Sequence, residues 1–123
     1  MQFDHFNISA PEQVIEVVKG FYCDLFGMSV GERASFKSRG YWLYKHEQAI
    51  IHLTISNKHY EQDRPGYLDH IAFRMEGSQQ FLATLEERSI GFEKKYLADM
   101  GMTQIFFFDP AGNQLEVNFL DQS

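Results

Sequence analysis

Asp69-His70-Ile71-Ala72-Phe73 lies near the middle of this 123-residue chain, and its first residues repeat the pattern of the opening stretch Asp4-His5-Phe6, with 65 residues between the two histidines. A second correspondence closes each half of the chain. His52 lies in Ile51-His52-Leu53-Thr54, and Glu116, 64 residues later, lies in Leu115-Glu116-Val117-Asn118. Self-similarity of this kind indicates a duplicated structural unit. Because each copy carries a possible metal ligand at both of its ends, we infer one site on a two-fold axis between the copies.

The first half of the chain predicts one helix among four strands. Strands are expected at Phe3 to Ile8, Met28 to Arg33, Tyr41 to Tyr44 and Ala49 to Ile55. The helix is expected to begin at Pro11, whose fixed φ suits a first helical position, and to end at Gly27. Its apolar residues recur at helical spacing and form one stripe: Val14, Val17, Val18, Phe21 and Leu25.

The second half of the chain repeats this order. Ser78 is expected to cap a helix that is followed by Gly91 and whose apolar positions are Phe81, Leu82 and Leu85. The stretch Asp109 to Asn113 contains Pro, Gly and Asn and is a strong turn signal. Strands are expected at Leu68 to Arg74, Phe92 to Tyr96, Gln104 to Phe108 and Gln114 to Phe119.

The predicted fold class is therefore α+β. Two β-α-β-β-β modules, at about residues 1–57 and 67–121, are expected to pair into a cupped mixed sheet, because each alone leaves sheet edges and an apolar face uncovered. The polar linker Asn57 to Tyr67 joins the modules, and the chain length favours a single domain over residues 1–123.

Strand parity places the ligand candidates on one face of each predicted sheet. His52, His70 and Glu116 alternate with apolar neighbours that suit the helix-covered face, so the candidates point to the other face. If the turn pairs Phe108 with Gln114, Phe106 stands opposite Glu116. The first half would place Trp42 beside His52 and Tyr44 beside Ile50. This register predicts a metal at the base of a cup with aromatic walls.

Composition and charge exclude several functions. A net charge of −6 and a pI near 5.3 argue against a nucleic-acid partner. No apolar run approaches the ~18 residues that a membrane span needs, and Met1-Gln2-Phe3-Asp4-His5 does not read as a signal peptide. Cys23 is the only cysteine, so no intramolecular disulfide forms and a reducing compartment, the cytoplasm, is expected.

The four ligand candidates favour a divalent transition metal. Three imidazoles and one carboxylate suit Zn, Ni, Co or Fe(II) better than Mg or Ca. Each candidate also has a simpler interpretation. His5 and His70 would then be strand histidines satisfied by hydrogen bonds, and His52 would line the pocket without binding metal. The proposed pocket residues Trp42, Tyr44, Phe106 and Phe108 would be core, and Arg74 would form a surface ion pair instead of meeting an anionic substrate.

These residues resemble the vicinal oxygen chelate superfamily, which includes glyoxalase I, methylmalonyl-CoA epimerase, extradiol dioxygenases, fosfomycin-resistance thiol transferases and bleomycin-resistance proteins. The resemblance spans the whole chain. It is most specific in Asp69 to Phe73, in Gln104 to Asn113 and in Leu115-Glu116-Val117, with a further likeness from Phe21 to Met28.

The resemblance implies a ligand set of His5, His52, His70 and Glu116, with Glu116 also available as a catalytic base. His52 departs from the glyoxalases, which usually place Glu there, whereas dioxygenases and fosfomycin enzymes use only three ligands, matching His5, His70 and Glu116. It implies a metal-dependent lyase or isomerase of the glyoxalase type that acts on a small oxygenated substrate or its thiol adduct. The alternatives are an Fe(II) dioxygenase or thiol transferase, and a metal-free binding protein. A homodimer is expected.

Overall fold

The computed structural model describes residues 2–57, 68 and 70–120. The chain divides into two compact units, Met1–Gly66 (unit 1) and Tyr67–Ser123 (unit 2). Both units have the predicted β-α-β-β-β order, with one helix and one four-stranded mixed sheet each, so the α+β fold class is confirmed. Most of the predicted linker, like Asp69, lies outside the described residues.

Unit 1 consists of β1 (Phe6–Ala10), α1 (Glu12–Phe26), β2 (Ser29–Gly31), β3 (Gly40–Lys45) and β4 (Gln48–Ile55). The strand order is β1-β4-β3-β2, in which β1 runs parallel to β4 and the other neighbours are antiparallel. The helix α1 begins at Glu12, one residue later than predicted, and Pro11 is its N-cap. Gly27 ends the helix with φ +66°, a left-handed conformation that glycine adopts without steric cost.

The buried face of α1 differs from the predicted stripe. Ile15, Val18, Tyr22 and Leu25 are buried, whereas Val17 is 58% exposed. Both sets have helical spacing, but they lie on adjacent faces, and spacing alone does not decide which face the sheet covers. The side chains of Leu43, Ile51 and Leu53 are fully buried in the same unit.

Unit 2 consists of β5 (Ile71–Arg74), α2 (Ser78–Glu87), β6 (Glu93–Leu97), β7 (Met102–Phe108) and β8 (Gln114–Phe119). The strand order is β5-β8-β7-β6, with β5 parallel to β8. Phe81 on α2 packs against Phe107 and Phe119 from one face of the sheet. The helix ends earlier than predicted, because Ser89, with φ +57°, turns the chain before Gly91.

The predicted register is confirmed in the second hairpin and wrong by one residue in the first. Phe106 pairs with Glu116 and Phe108 with Gln114. Trp42 pairs with His52 as expected, but Tyr44 pairs with Ala49, because a β-bulge follows Leu43. Over the described residues, neither helix is long and apolar enough to cross a membrane.

Candidate metal and substrate site

Unit 1 brings two of the predicted ligands together. His5 precedes β1 and His52 lies in β4, and their imidazole rings stack with centroids 3.7 Å apart and planes 8° from parallel. His5 Nδ1 donates to Asp4 Oδ2 at 2.5 Å. This bond leaves His5 Nε2 free to coordinate, in the carboxylate–histidine arrangement that orients metal-binding histidines.

The imidazole of His52 is held from both sides. The Trp42 ring stacks on one side of it, with ring centroids 4.1 Å apart and planes 13° from parallel, and His5 stacks on the other side. Its Nε2 donates to the backbone carbonyl of Ala49 at 3.1 Å, which leaves Nδ1 as the ring nitrogen available to a metal. Burial, followed by the neighbouring charge of His5, holds the pKa of His52 below its usual range, so the neutral form that binds metals dominates at pH 7.

The aromatic stack continues beyond the predicted pocket residues. Phe36 lies 6.2 Å from Trp42, and the guanidinium of Arg33 lies 5.0 Å above the Phe36 ring. Tyr44 belongs to the same face, because its ring covers Gly31, where a Cβ would lie 2.6 Å away, and its hydroxyl donates to the Glu32 carbonyl at 2.6 Å. Trp42 and Tyr44 therefore lie on one face of the unit 1 sheet, and Phe36 packs beside Trp42.

Unit 2 brings the other two predicted ligands together. His70 Nε2 lies 3.2 Å from Glu116 Oε1, and Glu116 is only 8% exposed. The second carboxylate oxygen, Oε2, accepts hydrogen bonds from Gln104 Nε2 at 3.2 Å and Asn118 Nδ2 at 2.7 Å. These two amides fix the plane of the carboxylate and leave Oε1 directed at His70.

Gln104 and Asn118 were missing from the sequence prediction. Asn118 follows Glu116 by two residues on β8, so its side chain lies on the same face as Glu116. Gln104 on β7 is the register partner of Asn118 and therefore lies on that face as well. Strand parity alone was enough to find them.

The spacing of His70 and Glu116 fits a divalent transition metal. Zn–N and Zn–O bonds are typically 2.0–2.2 Å long. Two atoms bound to one metal at a ligand–metal–ligand angle between the octahedral and tetrahedral values therefore lie about 2.9–3.4 Å from each other. The 3.2 Å between His70 Nε2 and Glu116 Oε1 falls within that interval. Among the described residues, no group of three or more His, Cys, Asp or Glu side chains is placed to hold one metal ion.

The remaining pocket candidates lie on the Glu116 face of unit 2. Phe106 stands beside Glu116, and Lys95 Nζ lies 5.3 Å from the centre of its ring. Phe108 is 60% exposed and is not core. Arg74 is exposed and lines a cleft of about 740 Å³, a typical size for a small-molecule site.

Cys23 is a half-buried free thiol on α1. Burial is the largest cause that raises the pKa of the Cys23 thiol, and the nearby charge of Asp24 raises it further. Both effects disfavour the nucleophilic thiolate. These effects agree with a structural thiol.

Comparison with known proteins identifies the family. The family model of the Glyoxalase/Bleomycin resistance protein/Dioxygenase superfamily matches residues 2–117. No curated protein sequence matches the chain. A solved structure of a glyoxalase family protein from Enterococcus faecalis is 28% identical, with a TM-score of 0.70, over 95% of this chain and 96% of that one.

Two more distant structures share the fold. Lactoylglutathione lyase from Agrobacterium tumefaciens is 16% identical, with a TM-score of 0.65, over 96% of this chain and 92% of its own. The fosfomycin resistance protein FosX from Listeria monocytogenes, solved with Mn(II) and sulfate, is 12% identical, with a TM-score of 0.67, over 96% of this chain and 91% of its own. With the family match over residues 2–117, the chain belongs to the glyoxalase/bleomycin resistance protein/dioxygenase superfamily.

Proposed function

We propose that this protein is a divalent-metal-dependent enzyme of the glyoxalase type, a lyase or isomerase that acts on a small oxygenated substrate or its thiol adduct. The observation that carries the proposal is the 3.2 Å spacing of His70 Nε2 and Glu116 Oε1, with the carboxylate held by two amides. A carboxylate with so little exposure and such fixed orientation is suited to a site that needs one defined geometry.

The proposed ligands are His5, His52, His70 and Glu116. His5 offers Nε2, because Asp4 occupies Nδ1, and His52 offers Nδ1, because the Ala49 carbonyl occupies Nε2. A bound Zn, Ni, Co or Fe ion would supply Lewis acidity toward the oxygen atoms of the substrate.

Glu116 is the proposed catalytic base. Its Oε2 accepts hydrogen bonds from Gln104 and Asn118, so Oε1 is the oxygen left for both proposed roles. As a base, Oε1 would leave the metal, take a proton from a carbon next to a carbonyl and return it to the neighbouring carbon. The aromatic side chains Trp42, Tyr44, Phe106 and Phe108 are the proposed apolar walls that limit access of water to this exchange.

The central test is the metal content of protein purified without a histidine tag. We expect stoichiometric metal in the parent, and loss of most of it in His70→Ala and in Glu116→Ala, because each removes a ligand. His46→Ala and Glu93→Ala are the matched controls, since both side chains are exposed. Stoichiometric metal in both ligand variants would refute the proposal. Formation of lactoylglutathione from methylglyoxal and glutathione by metal-loaded protein tests the reaction class.

One observation favours a second candidate. His52 Nε2 is bonded to Ala49, and the ring is packed between Trp42 and His5, which suits a pocket wall as well as a ligand. A three-ligand set of His5, His70 and Glu116 would then support an Fe(II) dioxygenase or a thiol transferase. Oxygen consumption with catechols, and thiol consumption with an epoxide, distinguish these reactions from the lyase. A parent protein that binds no metal would instead support drug or metabolite binding on the aromatic walls.

A further inference from the structure

A row of four polar residues crosses the sheet of unit 2 next to Glu116. The register pairs Arg74 on β5 with Asn118 on β8, Asn118 with Gln104 on β7, and Gln104 with Lys95 on β6. Register partners on neighbouring strands lie on the same face. We call Arg74, Asn118, Gln104 and Lys95 the polar row. The polar row lies two residues, or about 6.6–6.8 Å, along the strands from Glu116.

The amides of the polar row have a fixed orientation. Gln104 and Asn118 both donate to Glu116 Oε2, and an ionised carboxylate only accepts hydrogen bonds. Their oxygens must therefore point away from it. Asn118 Oδ1 is buried and has no hydrogen-bond partner among the described residues. A buried acceptor without a donor is destabilising, which indicates that a donor from water or a ligand belongs there.

The two ends of the polar row are cationic and accessible. Arg74 and Lys95 are both exposed, and they lie on the outer strands of the sheet, with the two amides between them. Lys95 Nζ leans inward over the Phe106 ring. Glu93 lies on the same face but in the row of Glu116, and Glu76 lines the cleft beside Arg74. Within the row itself every charge is positive.

We propose that the polar row is the specificity subsite for an anionic group of the substrate, and that this group neighbours a hydroxyl. Arg74 and Lys95 would bind the carboxylate or phosphate group through charge-assisted hydrogen bonds. Asn118 Oδ1 would accept from the hydroxyl, because an amide oxygen only accepts and Nδ2 of the same side chain already donates to Glu116. The subsite rests on the proposed function, since its distance from Glu116 places the reacting carbon a few bonds from the anion.

The test is a titration of the full-length protein at constant ionic strength. The readout is the chemical shift of the side-chain amide NMR signals of Gln104 and Asn118. The probes are glycolate, acetate, which lacks the hydroxyl, and inorganic phosphate. We expect saturable shifts with glycolate, and at least tenfold weaker binding of acetate. Saturation by phosphate and not by glycolate would assign a phosphate-bearing substrate to the same subsite.

Arg74→Gln and Lys95→Gln should each weaken the preferred anion at least tenfold. Lys94→Gln is the matched control, because Lys94 is the neighbouring residue on β6 and points to the opposite face. Equal affinity in Arg74→Gln, Lys95→Gln and Lys94→Gln would overturn the proposal, as would the absence of saturable shifts in the parent. Running each titration on metal-free and on zinc-loaded protein separates this failure from a failure of metal binding.

Discussion

His52 is the residue on which the assignment of the reaction depends. Sequence parity placed it on the correct face, opposite Trp42, and the register confirms that pairing. Parity could not show that the ring is stacked between Trp42 and His5, or that Nε2 is bonded to Ala49, because both depend on side-chain rotation. The ligand atom available on His52 is therefore known only from the structure.

We predict that His52→Ala weakens metal binding by at least tenfold and that His52→Glu restores it, because a carboxylate at this position would complete the four-ligand set. Trp42 is the only tryptophan in the chain and stacks on His52, so Co²⁺ or Ni²⁺ added to metal-free protein should change its fluorescence. His46→Ala, at an exposed turn, is the control. Unaltered metal affinity in His52→Ala would reject the four-ligand set and favour the three-ligand reactions.

At the scale of elements, the order and type of all ten helices and strands found over the described residues followed from the sequence. The register of β7 and β8, which was assumed from the turn at Asp109 to Asn113, is also the observed one. The bulge after Leu43 had no local signal, so the position of Tyr44 was wrong by one. The buried face of α1 was misjudged because Val and Ile occur on both of its apolar sides.

Two glycines give opposite predictions for stability. A Cβ at Gly20, inside α1, would meet nothing within 4 Å, whereas a Cβ at Gly40, at the start of β3, would lie 2.0 Å from the Leu53 carbonyl oxygen. We expect Gly20→Ala to raise the free energy of unfolding by roughly 0.5–1 kcal/mol, since alanine has the higher helix propensity. Gly40→Ala should lower it by about 1–3 kcal/mol, because the backbone must move.

Urea denaturation followed by circular dichroism measures both changes. Gly91→Ala is a further control, since its Cβ would also be unopposed but lies outside a helix. If Gly40→Ala were as stable as the parent, the close approach of β3 and β4 at Leu53 would be wrong. If Gly20→Ala were destabilised, the open space around a Cβ at that position of α1 would be wrong.

At the scale of the whole molecule, we predict a homodimer. Each sheet has two outer strands, β1 and β2 in unit 1 and β5 and β6 in unit 2, and an outer strand can pair with a further strand. Closed two-fold assembly is the commonest form of soluble oligomers. Light scattering should give twice the 14.4 kDa chain mass, and a monomer at micromolar concentration would refute the prediction.

A dimer allows the four ligands to be combined in two ways. His5 and His52 belong to unit 1, and His70 and Glu116 belong to unit 2. If one metal binds all four, as proposed, its ligands would come either from both units of one chain or from one unit of each of two chains. The linker of about eleven residues, Asn57 to Tyr67, reaches at most about 36 Å at ~3.3 Å per residue, and we expect this length to allow either arrangement. The length of the linker therefore does not decide between them.

Mixing two variants that each lack one proposed metal ligand distinguishes the two arrangements. His5→Ala and Glu116→Ala proteins are unfolded and refolded together, and mixed dimers are verified by native mass spectrometry. If sites are shared, each mixed dimer holds one site with both lesions and one intact site. Random pairing then restores about a quarter of the parental metal content, since half of the dimers are mixed and half of their sites are intact. If each chain builds its own site, every site carries one lesion and no metal returns. Refolded parent protein is the control for recovery of the fold.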